Sequence, residues 1–429
     1  MSGVGGAGIP RLQDLSYVEV AATQVAAGQR FEQIRRALVT RAAELAHLSD
    51  LDGSFDEHRW EMIRNDPQKY VHNTVDVLKE LMRLGWIERT ILPSGPGSAY
   101  AHADTTYSLT DAGNEWAKLV SIDRRAAYNA LVGDLIAAHP HFEGFLRALG
   151  ARPDSTSTHL TIPIMRFDPA RHGQYDNFRA ETFLDDFIDY AANAAQGPGL
   201  GWRASSTDVE QAIRGYVTRI QARAMARQKT VTRKQYLNTC EEAVTRLAFT
   251  AAGCPLDYVT HELLRRWTRF LGLATFSYYA PGPPALRLWA TGTVTGRGGQ
   301  TTIERRVGPD VRHQLLTELW GIWQAERSDG AAGMYLPVWQ LRAAACWRLR
   351  INDDEFDQAI VDALAGTHGD LGIEIHLDQA SMRATPGSTR PLVLPTTSGL
   401  RRVFNVINIA QRSPRDQAGA PAGADTTWP

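Results

Sequence analysis

The chain has 429 residues, 43% of them hydrophobic and 22% charged, with a formal net charge of −1. That length suffices for two to four domains with substantial apolar cores, and the ordinary balance excludes a disordered chain or one wrapped in a global basic field. Contact with nucleic acid would have to come from a local patch.

Three cysteines, Cys240, Cys254 and Cys346, form no close pair, which leaves neither a disulfide framework nor a CxxC metal knuckle. No stretch approaches the roughly 20 apolar residues that span a bilayer, so no membrane partner is expected. The opening MSGVGGAGIP lacks the basic and apolar regions of a signal peptide. The expected location is cytoplasmic. Of 46 basic residues five are lysines (Lys69, Lys79, Lys118, Lys229 and Lys234), leaving 41 arginines. A GC-rich genome accounts for that bias as readily as phosphate recognition does.

In chain order, composition predicts disorder over 1–14, a helical block with a winged helix-turn-helix over 15–150, and a loop-rich linker over 151–178. A helical middle follows over 179–310, then a winged-helix-like domain over 311–411 and a disordered tail over 412–429. The expected fold class is mainly α with small β-hairpins (α+β). It is multi-domain, with two or three winged-helix units joined by a helical middle.

Leu15–Leu48 reads as the first helix. Asp66 then stands where an N-cap belongs and Pro67 at the first helical position. Val71, Val75, Leu78 and Met82 recur at helical spacing as one apolar stripe. Gly85 closes the helix. Trp86–Ile91 and Thr105–Leu109 read as two strands around a turn-rich tip, and Thr110-Asp111-Ala112-Gly113 opens another helix. The string LKELMRLGWIERT…YSLTDAGNEWAKL resembles winged helix-turn-helix proteins of the MarR/PadR type, over about an eighth of the chain. The resemblance implies that the solvent face of Pro67–Leu84, carrying Gln68, Lys69, His72, Asn73, Asp76, Lys79 and Arg83, enters a DNA major groove. The wing tip Pro93–Asp104 holds no Lys or Arg, a departure from wings that grip the minor groove. Winged helices also serve as protein-docking modules, and both readings stand.

Between Gln211 and Cys240 lie seven basic residues, Arg214, Arg219, Arg223, Arg227, Lys229, Arg233 and Lys234, and no acidic one. Arg219, Arg223 and Arg227 share one helix face and repel one another unless an anion compensates. A phosphate backbone would do so; the alternative is pairing with Asp185, Asp186 and Asp189.

Asp257–Leu273 followed by Ala274–Tyr279 and Ala285–Thr295 repeats the order helix, strand, turn, strand, a second winged-helix candidate. A third comprises helices Leu336–Leu349 and Asp354–Leu364, then strands Ile373–Leu377 and Pro391–Leu394. Its wing side is basic, through Arg383, Arg390, Arg401 and Arg402.

No P-loop, HExxH or GxSxG occurs. Asp52, Asp56, Glu57, His58 and Glu61 read as helix-dipole partners rather than metal ligands, and His139-Pro-His141 is too short to chelate. No catalytic residue, metal or cofactor is expected. The leading expectation is a non-enzymatic DNA-associated binding protein, regulatory or architectural, with protein partners or a homodimer. An alternative is an interaction subunit of a DNA-acting complex of chromosome organisation or of plasmid or phage defence, since the layout resembles that of bacterial kleisins. A subunit of a restriction or mobile-element enzyme is the third.

Overall fold

In a computed structural model of the chain, the described residues are 12, 14–51, 70–90, 105–174, 177–197, 199–328, 335–367, 371–379, 391–395 and 401–411. Helices dominate, and every strand pairing among these residues is antiparallel, in sheets of two or three strands. The architecture is thus mixed helix with small antiparallel sheets. The chain divides into two compact units, the second formed mainly by 306–429.

The first unit starts with α1 (Ser16–Ala26), α2 (Phe31–Leu51) and α3 (Tyr70–Arg83). The single helix expected over Leu15–Leu48 is two, because Gly28 takes a positive φ of 69° that ends α1. Within the stretch whose composition suggests disorder, residues 12 and 14 are among those described. Leu12 is buried and its carbonyl accepts a hydrogen bond from Trp267 Nε1 at 2.8 Å.

On α3 the buried stripe is Thr74, Val77, Leu78 and Leu81, spaced i, i+3, i+4, i+7. Val75 and Met82 are half-buried against that core, and the side chain of Val71 lies outside the described residues, as do Asp66 and Pro67. The stripe is turned from the expected one because α3 also buries Glu80, on its other flank, against His139.

Strands β1 (Ile87–Thr90) and β2 (Thr106–Leu109) pair with Ile87 opposite Leu109 and Thr90 opposite Thr106. The wing tip between them lies outside the described residues. Thr110 locks this hairpin to the next helix, α4 (Asp111–Ile122). Its hydroxyl donates to the Gly85 carbonyl at 2.7 Å and accepts from the Gly113 amide at 3.1 Å, and its own amide donates to the Trp86 carbonyl. A Cβ on Gly113 would stand 2.0 Å from the Trp86 carbonyl oxygen, so the glycine is obligatory. The string L-T-D-A-G is therefore a fold lock.

Helices α5 (Arg124–Ala138) and α6 (Pro140–Ala148) follow, then strand β3 (His159–Pro163) and the short α7 (Pro169–His172). A long helical set comes next: α8 (Ala180–Gln196), α9 (Ser206–Ala226), α10 (Arg233–Ala251) and α11 (Tyr258–Phe270). Strands β4 (Ala274–Ser277) and β5 (Ala285–Ala290) form a sheet with β3 in the order β3-β5-β4. The segment expected to be a loop-rich linker thus supplies a sheet strand. A further hairpin, β6 (Gly292–Thr295) and β7 (Thr302–Arg305), completes the unit. Phe145 of α6, Phe249 of α10 and His261 of α11 meet in one aromatic cluster, with Phe145 and Phe249 stacked at 5.2 Å. One continuous apolar core runs from Leu12 to Ile303, so the blocks expected at 15–150 and 179–310 fold together.

The second unit carries a three-stranded antiparallel sheet of its own. Helix α12 (Pro309–Ser328) precedes a short strand β8 (Leu336–Pro337), helices α13 (Val338–Leu349) and α14 (Asp353–Leu364), and strand β9 (Ile373–Asp378). A hairpin of β10 (Leu392–Pro395) and β11 (Arg401–Phe404) leads to β12 (Val406–Gln411), and the main sheet runs β8-β12-β9. In both three-stranded sheets the last strand in the chain, β5 or β12, lies between the other two.

Candidate nucleic-acid interface

The basic residues converge on the hairpin of α9 and α10. Both helices start with capping boxes. The Ser205 hydroxyl accepts from the Asp208 amide while the Asp208 carboxylate accepts from the Ser205 amide, and Thr232 and Gln235 do the same. The first half of α9 is held down by buried Val209, Ile213 and Val217. Beyond Val217 no residue up to Gln235 is fully buried, so this tip stands in solvent.

The arginines of the tip differ in what they touch. Arg214 is engaged by Glu210 at 2.8 Å and Asp185 at 2.9 Å. Arg219 donates to the Gly215 carbonyl at 3.0 Å and lies over the Tyr216 ring at 4.2 Å. Arg233 covers the Phe167 ring at 4.6 Å, and Lys234 is exposed. Arg223, Arg227 and Lys229 are exposed and form no ion pair with any described residue. The acids that could have neutralised the stripe are used elsewhere: Asp185 holds Arg214, and Asp186 holds Arg171 and His172. Neither these two nor Asp189 reaches Arg219, Arg223 or Arg227 among the described contacts.

The end of α9 folds the three free cations together. Gln228 takes a left-handed φ of 52°, and the Lys229 amide returns to the Ala224 carbonyl at 2.9 Å. Between the end of α9, this turn and the start of α10 opens a cavity of about 410 Å³, bordered by Arg223, Arg227 and Lys229. No acidic side chain lines it. Only the arginine stripe was legible in the sequence; the facing half, with Asn238, required the hairpin.

The other expected contact residues are dispersed. Gln68, Lys69, Arg383 and Arg390 lie outside the described residues, as do the side chains of His72 and Asn73 on α3 and of Arg401 on β11. Lys79 and Arg402 are exposed. Arg83 is exposed too, but it is engaged: its guanidinium lies 3.6 Å from Glu80 and 3.5 Å from His139 Nδ1. Glu80 and His139 are themselves a buried pair 59 positions apart, which no local pattern reveals.

The three helices that precede hairpins carry different charge. Helix α3 balances Asp76 and Glu80 against Lys79 and Arg83. Helix α11 carries Arg265, Arg266 and Arg269 against Glu262, with Arg266 and Arg269 exposed. Helix α14 holds Asp353, Asp354, Glu355, Asp357 and Asp362 and no basic residue, although its C-terminal neighbours were expected to be the basic side. Arg312 pairs with Glu355 and Asp362, and Arg342 with Asp357.

Nucleophilic chemistry finds little support in the thiols. Burial pushes Cys254 up to about 12, and burial with the Glu241 charge does the same to Cys240. No helix among the described residues is long and apolar enough to cross a membrane. Comparison with models of protein families, with curated proteins and with solved structures finds no match to this chain.

Proposed function

We propose that the chain is a non-enzymatic, DNA-associated binding protein that grips the phosphate backbone with the α9–α10 tip. The observation that carries this reading is the gathering of Arg223, Arg227 and Lys229, exposed and without ion-pair partners among the described residues, where no acid lies between Gln211 and Cys240. Guanidinium forks match phosphate oxygens in pairs, and each neutralised phosphate releases counterions. Three winged-helix units would accompany the tip along the chain: α1–α3 with β1 and β2; α6, α10 and α11 with β3, β4 and β5; and, in the second unit, α12–α14 with β8, β9 and β12. What supports these assignments is the recurrence of three helices in contact and a pair of antiparallel strands, twice with the leading strand added to the sheet. In this scheme α11, with Arg266 and Arg269 exposed, suits a groove better than α3 or α14.

A second reading, an interaction subunit of a DNA-acting complex, is favoured by the acidic α14, which would be repelled by a phosphate backbone. Fluorescence anisotropy with two duplexes of equal length and unrelated sequence tests the first reading. Both should bind, within a few-fold of each other, and weaken steeply with salt. No binding at low salt would overturn it in favour of the second.

A further inference from the structure

The cavity at the α9–α10 tip is larger and more mixed in character than a backbone contact requires. We propose that it is a binding site for a nucleoside 5′-phosphate, either a free mononucleotide or the 5′-terminal residue of a strand. This rests on the nucleic-acid reading only for its choice of ligand.

The argument is one of size, charge and wall chemistry. At about 410 Å³ the cavity falls within the range of small-molecule sites, far above the space a phosphate alone would fill. Half-buried Ile220 and Val231 give it apolar surface suited to a sugar and base. Arg223, Arg227 and Lys229 bring three positive charges with no acid in the lining. A phosphate monoester carries close to two negative charges at neutral pH, whereas a carboxylate carries one. Two guanidinium forks and an ammonium match the former. The Asn238 carboxamide also lines the cavity, forms no hydrogen bond with a described residue, and offers a donor and an acceptor to a base edge. The cavity stands at the start of α10, whose dipole adds positive potential, although the capping box already uses its leading amides.

Isothermal titration of the full chain with adenosine 5′-monophosphate, adenosine and inorganic phosphate tests this. The monophosphate should bind, with adenosine and phosphate each at least about tenfold weaker. Arg223→Ala with Arg227→Ala should weaken the monophosphate by about 10–100-fold. Arg214→Ala, whose guanidinium is held by Glu210 and Asp185, should leave it unchanged. Val231→Trp fills the cavity without touching its charge. It should abolish monophosphate binding while salt-dependent duplex affinity persists, a result that also excludes simple misfolding. Competition between 5′-phosphorylated and 5′-hydroxyl single strands identifies the source: a preference for the phosphorylated end points to strand termini, and equal competition with displacement by the monophosphate points to free nucleotide.

Adenosine binding as tightly as its monophosphate, or a double variant that binds normally, would overturn the proposal. So would absence of monophosphate binding in a chain that still binds duplex, and the backbone-binding function would then survive alone. Monophosphate binding without any duplex affinity would support the pocket and overturn the function.

Discussion

The arginine stripe makes a quantitative prediction, because its members are not equivalent in the fold. Arg223 and Arg227 are free to meet phosphate, whereas Arg219 is already bonded to the Gly215 carbonyl and stacked on Tyr216. Each phosphate contact contributes about 0.9 to the slope of log affinity against log salt. Arg223→Ala with Arg227→Ala should therefore flatten that slope by about 1.8. The corresponding loss of duplex affinity is about 60-fold at about 0.1 M salt and shrinks to about 3- to 4-fold at about 0.5 M. Arg219→Ala alone should change the slope by much less than 0.9. The losses should be equal on unrelated sequences, since backbone contacts position without specifying. Folding should be unaffected, because both side chains are exposed and alanine is a strong helix former. Anisotropy titrations across a salt series, with circular dichroism as the folding control, read all of this. An unchanged slope in the double variant, or an Arg219→Ala effect as large as the double, refutes the assignment.

Three further outcomes follow from the buried groups. Leu78→Ala should cost about 3 kcal/mol because Leu78 is fully enclosed, whereas Val75→Ala on the half-exposed flank should cost about 1 kcal/mol or less; chemical unfolding ranks the two, and the reverse order contradicts the packing of α3. Burial, with help from the Arg265 charge, lowers His261 to about 3 from an ordinary 6.5, so the neutral ring is the folded form. Its stabilisation is complete above pH 6.5 and is lost as pH falls toward 3, about 2 kcal/mol of it by pH 5; His261→Phe should make melting less acid-sensitive over that interval, and an unchanged profile contradicts it. Burial, then the Glu262 charge, raises Glu241 from its ordinary value, so its ionised form is penalised and stability is lost as pH rises from that value through the raised one. Glu241→Gln should melt higher than the parent at neutral pH and no higher at pH 4.

What could be read from the sequence was whatever is local. The first hairpin and its flanking helices are encoded in contiguous signals, Gly85 at a positive φ of 72° and Thr110 as the cap of α4. Strand β3 was hidden because its partner β5 lies more than a hundred residues on, and Pro, Asp and Ser around it imitate a linker. The turned face of α3 was hidden for a related reason. Glu80 reads as a surface carboxylate until His139 is brought against it from the α5–α6 junction. At the tip, helical spacing placed Arg219, Arg223 and Arg227 on one face, but only the fold separates the engaged Arg219 from its two free neighbours.

The chain's own pairing habit is the reason to take those free arginines seriously. On several other helices an arginine is neutralised at short range on the same helix. Arg35 pairs with Glu32, Arg147 with Glu143, Arg214 with Glu210 and Arg265 with Glu262. The acids of α14 are likewise met by Arg312 and Arg342. Those solvated faces are therefore mixed in sign. The second half of α9 breaks the habit. Like charges at i and i+4 cost about 0.2–0.5 kcal/mol per pair, a small penalty that one intervening glutamate would turn into a gain of similar size. The turn after α9 then adds Lys229 to the same cavity instead of dispersing the charge. A sequence that forgoes a compensation it uses on several other helices, and then concentrates the charge further, has the form expected when the compensating anion comes from outside the chain.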